Sequence, residues 1–211
     1  MENYMRSEEF EIYKTIFYEK GTVEGKECNV AKIHANDIFG ENPNSYTEGV
    51  NKLKEILATS SEPESDIEVL LSVRNWRPHF IACIAAFYVA DRKRMVSLLW
   101  KTLDKGSWAS PQLAASLSIL DSSFIENAVA RLKTGALIVE PLPMLVERLK
   151  IDKIENPKGF LALWSLVNKI NNQLLSDCNI SDIKHQLDKE ANDISNISLH
   201  WREKMLGMLN A

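Results

Sequence analysis

Four histidines, His34, His79, His185 and His200, are the first side chains to weigh for metal or acid–base chemistry. No two of them stand four residues apart, so the helical pair of imidazoles that grips zinc is missing. His185 has Asp182, Asp188 and Glu190 around it, but Asp182 and His185 lie three apart, a common pairing on a solvated helix face. The cysteines, Cys28, Cys83 and Cys178, are odd in number and show no metal-ligand spacing. Cys83 sits inside the apolar run 80–87, where a thiol acts as a small hydrophobe. Gly-x-Ser-x-Gly, P-loop, dinucleotide and Cys-x-x-Cys patterns are all missing. The carboxylates of Glu8-Glu9-x-Glu11 and Glu62-x-Glu64-x-Asp66 stand at expected helix starts, where the helix dipole favours them. No catalytic residue, metal or cofactor is therefore expected, and the chain reads as a non-enzyme. An enzyme whose site is assembled only in space is an alternative, because such sites leave weak sequence traces.

Recognition chemistry is better represented. His79 follows Pro78 in the string Trp76-Arg77-Pro78-His79, and Gln112 follows Pro111 in Trp108-Ala109-Ser110-Pro111-Gln112. Two aromatics with adjacent hydrogen-bond donors suit a recognition ridge. The same pair suits a packed joint between helical units, and the usual burial of tryptophan favours that joint. The second feature is the basic run Arg92-Lys93-Arg94, with Arg74, Arg77, Lys101 and Lys105. Net charge is −4 overall, but residues 1–73 hold 7 basic and 15 acidic groups and residues 74–150 hold 11 and 6. The overall acidity argues against a dedicated nucleic-acid binder, while the basic middle keeps that reading open. Arg94, Lys101 and Lys105 share a helical face, whereas Arg92 and Lys93 stand at a helix start and oppose its dipole. Such cations answer an acidic partner, and the acidic first 73 residues are one such partner within the chain. The candidate partner-binding set is Trp76, Arg77, His79, Arg92, Arg94, Trp108 and Gln112.

Phe10, Ile12, Tyr13, Ile16 and Phe17 predict a helix over 8–20 that stops at Gly21. Residues 22–43 are ambiguous, with Val30, Ile33 and Phe39 compatible with a short helix ending near Gly40. Ser45, with Glu48 three residues on, predicts a capped helix carrying Val50, Leu53, Ile56 and Leu57. A short helix around 67–73 follows. Pro78 and Pro111 open two further helices in their first turns, to about 90 and 120. Each is paired with a second helix, over about 92–103 and up to about 133. Pro141 and Pro143 mark a break before a short helix at 143–150. Asn156-Pro157 caps a helix to about 175, and Ser181 and Ser198 start the last two. No segment shows convincing two-residue alternation, so little or no sheet is expected.

One pattern occurs twice: Trp, Pro, apolar helix, Asp, second helix, Leu-x-x-Gly. The first copy uses Trp76, Pro78, Asp91, Leu103 and Gly106; the second uses Trp108, Pro111, Asp121, Leu132 and Gly135. Val96, Leu99, Leu103 and Gly106 match Ile125, Ala128, Leu132 and Gly135 at one offset of 29. A fixed-period helix pair is the mark of a stacked solenoid. With Ala82, Ala85 and Ala86 against Ala114 and Ala115, and Asp at each intra-pair turn, residues 76–135 resemble short HEAT-type repeats. An arginine beside the early proline is common in that family; Arg77 fits and Ser110 departs from it.

The resemblance implies an all-α fold, a HEAT-like α-α superhelix with additional N- and C-terminal helices. The expected organisation is one all-α domain over 1–211, with helix-pair repeats at 76–135, an N-terminal extension at 1–44 and C-terminal helices at 156–211. The expected function is a protein–protein interaction module, an adaptor or inhibitory, immunity-type binding protein with another protein as partner. Nucleic acid bound by the basic middle is the alternative partner. Residues 1–9 lack the basic start and apolar stretch of a secretory signal, and no apolar run approaches the roughly 20 residues that span a bilayer. With an odd number of cysteines and nothing to suggest a disulfide framework, a reducing, cytoplasmic setting is expected and no membrane contact.

Overall fold

The computed structural model describes residues 10–39, 43–134, 156–175 and 190–210. Among them are nine α-helices: α1 Ala35–Phe39, α2 Pro43–Leu57, α3 Pro63–Ser72, α4 Trp76–Ala85, α5 Arg92–Lys105, α6 Ser110–Leu120, α7 Phe124–Thr134, α8 Pro157–Ile170 and α9 Glu190–Asn210. Short 3-10 turns cover Ile12–Lys14 and Asn172–Leu175. The protein is mostly helical, with one small sheet. The chain divides into two compact units, Met1–Leu98 and Leu99–Ala211.

In the first unit, the helix expected over 8–20 does not run to residue 20: among the described residues of that span only Phe10 and Glu11 are α-helical. A 3-10 turn takes Ile12–Lys14, and Tyr18–Val23 becomes strand β1, paired antiparallel with β2, Lys26–Ala31. Glu24 and Gly25 link the strands with φ of 51° and 76°. Positive φ at both central residues defines a two-residue type I′ turn, whose twist matches that of the flanking strands. Gly21 therefore lies inside a strand, and Val30 pairs with Glu19 instead of joining a helix. No residue of either strand is fully buried, which explains why no alternation of apolar and polar residues marks them. Helix α2 begins at Pro43, so Ser45 lies inside it and is not its cap.

The first-unit core joins Leu53, Ile56 and Leu57 of α2, Ile67, Leu70 and Leu71 of α3 and the apolar run of α4, all buried. Helix α4 is buried on nearly every side, from Pro78 to Ala85, as expected of a helix apolar all round. Its last turns are tighter than a continuous helix to residue 90, ending in bonds from Phe87 N to Ile84 O and from Tyr88 N to Ala85 O. Three acidic residues of α3 stitch this unit. Glu64 accepts from the backbone N–H groups of Ala90 and Asp91, both at 3.1 Å. Asp66 accepts from Ser60 Oγ at 2.9 Å and Ile16 N at 3.4 Å. Glu68 pairs with Arg94 at 2.6 Å.

The second unit is organised around α6, which packs on both α8 and α9, while α8 and α9 also pack on each other. Residues Ser110 to Leu117 of α6 are all buried. Ala114, Ala115 and Ser116 let neighbouring helices approach, and Ser116 Oγ reaches Met205 Sδ at 3.5 Å. Helix α8 ends at Ile170 rather than near 175. Helix α9 runs unbroken through Ser198, which was expected to start a helix. Its hydroxyl folds back onto the Ile194 carbonyl at 2.8 Å, satisfying itself inside the helix. The expected helix at 143–150, the start at Ser181, His185, Cys178 and Gly135 lie outside the described residues.

Candidate partner-binding site

The seven candidate residues divide between the two units. In the first, Asn75 caps α4 by accepting from Arg77 N at 3.0 Å, which sets Trp76 and Arg77 in the opening turn. Trp76 is half-buried, edge-on to Phe80 one turn later, with the exposed Arg77 guanidinium 4.7 Å from its ring centroid. His79 is not a surface donor. It is 3% exposed, and its Nε2 lies 3.0 Å from the Val73 carbonyl. A carbonyl only accepts, so the ring proton sits on Nε2. Burial holds the His79 pKa below its ordinary 6.5, against the opposing pull of that hydrogen bond.

The basic run is also partly committed. Asp91 caps α5 by accepting from Arg94 N at 2.9 Å. The Arg94 guanidinium pairs with Glu68 and reaches Ser65 Oγ at 3.3 Å, so its partner is intramolecular. The Glu68 hydrogen bond raises the Arg94 pKa further. Glu64, which meets the start of the same helix, has its carboxyl held low chiefly by the Asp91 N–H. Arg92 and Lys93 are exposed. Acidic residues of the first unit thus answer one cation of the triplet directly and the helix start through its backbone.

In the second unit Gln112 is also withdrawn from the surface, at 6% exposure. With its amide oxygen facing the Trp201 indole, it accepts from Nε1 at 2.7 Å and donates to the Ala109 carbonyl at 3.3 Å. Gln112 therefore ties α6 to α9. Trp108 does the opposite of what a packed joint requires: 68% of it is exposed.

The turn under Trp108 is firmly built. Gly106 takes a φ of +85°, the left-handed geometry that ends a helix and that glycine adopts without steric cost. Ser107 Oγ accepts from Ala109 N at 3.0 Å, and the Ser107 carbonyl accepts from Ser110 N at 3.0 Å and Ser110 Oγ at 2.6 Å. Asn156, 4% exposed, joins three helix ends here. Its Oδ1 caps α8 by accepting from Gly159 N at 2.9 Å, and lies 3.5 Å from Ser110 Oγ. Its Nδ2 donates to the Leu103 carbonyl in the last turn of α5. A side chain at Gly159 would collide with this amide, so the close approach requires glycine.

Lys158, in the first turn of α8, carries its ammonium 3.7 Å from the Trp108 ring centroid. A cation in a helix's first turn costs about 0.3–1 kcal/mol against the dipole. An exposed cation–π contact returns about 0.5–1 kcal/mol. The ring thus offsets most of what the helix dipole costs the lysine. Trp108 has no hydrogen-bond acceptor for its indole N–H among the described residues.

A second cluster, which no spacing rule picks out, surrounds Trp100. Its Nε1 donates to Asp121 Oδ2 at 2.8 Å, as does Asn127 Nδ2 at 2.9 Å, while Ser123 N donates to Oδ1 at 2.9 Å. Arg131 pairs with both oxygens of Asp104, at 2.9 and 3.1 Å, and lies 4.0 Å over the Trp100 ring. Phe124 stacks on the indole with centroids 6.0 Å apart. Burial pushes the Asp121 carboxyl up, but the donors Trp100, Asn127 and Ser123 and the Arg131 charge outweigh it and hold the pKa below 3.8. Every group is answered by another, so this cluster positions α5 and α7 and leaves no reactive side chain. Among the described residues no cluster of His, Cys, Asp and Glu suits a metal ion, and no helix is long and apolar enough to cross a membrane.

No family model matches the chain, and neither does any curated protein or solved structure.

Proposed function

We propose that the chain is a protein-binding module, not an enzyme, and that the Trp108 corner is its anchor. The observation that carries this reading is an indole 68% exposed on a turn whose backbone is fixed by Ser107, Ser110 and Asn156. A rigid, exposed tryptophan loses little freedom on binding, and tryptophan is enriched among the few residues that dominate interfaces. Helix pairs α4–α5 and α6–α7 are read as HEAT-like repeats. Support comes from Asp91 and Asp121, which both accept a backbone N–H at the start of the second helix of their pair. Cytoplasmic residence is part of the same proposal and draws on the odd number of cysteines and the lack of a disulfide-framework spacing in the sequence.

The test is affinity capture from lysate of the source cells, with wild type and Trp108→Ala as parallel baits. A partner retained by wild type and lost by the variant is expected, with affinity falling about 30-fold or more, the effect of an interface hot spot. Unchanged circular dichroism checks the fold. Recovery of the same proteins by both baits, or of the bait alone, sinks the proposal.

A further inference from the structure

We infer that the outer edge of β2 takes an extended segment of a partner protein as a third, antiparallel strand, with acidic residues facing Lys26 and Lys32 and apolar ones between. Strand β2 belongs to the first unit and Trp108 to the second, so this surface is additional to the Trp108 anchor. The hydrogen-bond pattern of the hairpin fixes which groups face outward. Lys32 N donates to Phe17 O at 2.9 Å, continuing the register that sets Tyr18 opposite Ala31. In an antiparallel ladder such hydrogen-bonded pairs recur at every second residue. Lys26, Cys28 and Val30 therefore turn their N–H and C=O groups toward β1, and Glu27, Asn29 and Ala31 turn theirs away. Among the described residues no hydrogen bond reaches those outward groups. The edge of β1 is less open. Tyr18 N is spent on the Thr15 carbonyl at 3.2 Å, and the Tyr13 ring stands edge-on to the Tyr18 ring with centroids 5.2 Å apart.

A row of outward N–H and C=O groups is matched by another strand, and the side chains beside it choose which. Lys26, Cys28, Val30 and Lys32 share one face of β2. Among the described residues neither lysine has an ion-pair partner, and neither has Glu19, on the same face of β1. Cys28 and Val30, between the lysines, are partly exposed, and Gly21, opposite Cys28, brings no side chain to cover it. Carboxylates opposite the two lysines, with apolar side chains opposite Cys28 and Val30, complement this face. On the other face, Glu27 favours a cation. A second copy complements the edge less well. Laid antiparallel along the full strand, it sets Lys26 against Lys32 at both ends.

The experiment uses the full chain labelled with ¹⁵N and the capped peptide Glu-Thr-Val-Thr-Val-Lys-Glu, whose first residue would face Lys32 and whose last would face Lys26. The peptide is expected to move the amide resonances of Glu27, Asn29 and Ala31, with a dissociation constant below about 1 mM. N-methylation of its central threonine, whose N–H would point at Asn29, should weaken binding about tenfold or more. N-methylation of its second valine, whose N–H would point away from β2, should change binding by less than about twofold. Lysine in place of both glutamates should weaken it about fivefold or more. No movement at about 1 mM peptide, movement confined to other amides, equal weakening by the two methyl groups, or equal binding of the lysine peptide overturns the inference. A dimer of the chain alone, seen by sedimentation, with the Glu27, Asn29 and Ala31 amides protected from exchange, overturns it too, because a copy would then hold the edge.

Discussion

Replacing Asp121 by alanine tests how the second unit holds its helices in place. The carboxylate accepts three hydrogen bonds, from Trp100 Nε1, Asn127 Nδ2 and Ser123 N. Two of these donors regain water when it is removed, at a cost of about 0.5 kcal/mol each. The third does not, because Trp100 is only 6% exposed. A buried N–H left without an acceptor costs about 1–3 kcal/mol. The expected loss is therefore about 2–4 kcal/mol. With a urea slope of about 2 kcal/mol per molar, the midpoint falls by about 1 M or more. Near-UV circular dichroism is the proper readout, since two compact units can unfold separately and the aromatic signal reports on Trp100 and its neighbours. Trp100→Phe supplies the control. In the double variant the orphaned N–H no longer exists, so the combined loss should fall short of the sum by about 1–2 kcal/mol. The acid limb gives an independent reading. The folded Asp121 pKa lies below its ordinary 3.8, so its stabilisation is complete above that value and is lost as pH falls through the folded one. Asp121→Asn should flatten that limb. An Asp121→Ala protein within 0.5 kcal/mol of wild type, or strictly additive single variants, refutes the claim that this carboxylate organises the cluster.

Two glycines should respond oppositely to alanine. A side chain at Gly49 would fall on the Asp37 carbonyl, so Gly49→Ala should cost about 1–3 kcal/mol in urea unfolding. Gly207, inside α9 with open space around it, should gain about 0.4–1 kcal/mol as alanine. His79 should make wild type less stable in mild acid: its folded pKa is below 6.5, so its contribution is full above that pH and is lost on acidification. The difference in unfolding slope between wild type and His79→Gln, at most about 1.4 kcal/mol per pH unit, measures this, and identical slopes would show that His79 does not titrate on unfolding.

Helices α2, α3, α4, α5, α6, α7 and α8 were legible because long apolar periodicities and prolines in first turns mark them, and packing did not override those signals. The hairpin was not. Tyr13 and Phe17 fit a helical spacing by accident, and strands with no buried face show no alternation. The one local clue was the two-residue link Glu24-Gly25. It sits where Asn-Gly or Asp-Gly would announce a type I′ turn, but glutamate at positive φ disguises it. At the candidate site, position beside the first-turn prolines Pro78 and Pro111 singled out Trp108, Gln112 and His79. Sequence spacing does not encode burial at helix starts, so it grouped an exposed indole with two buried hydrogen-bonding side chains. The Trp100 cluster was invisible because its members, residues 100, 104, 121, 127 and 131, meet only when α5 and α7 come together. Asn156 was legible as a cap, but its bond to the Leu103 carbonyl, 53 residues away, was not.

The hairpin has a bearing on how the molecule behaves in company. A ladder of only two strands leaves each with an outer rim of backbone N–H and C=O groups, and among the described residues no third strand covers either rim. Such rims invite another extended chain to zip on. Glu19 and Lys20 on one strand and Lys26 and Glu27 on the other are all exposed, and they place charge wherever a copy would have to dock. Exchanging those four for threonine or valine would leave the fold's interior untouched, yet turn this charged edge into a nucleus for self-assembly.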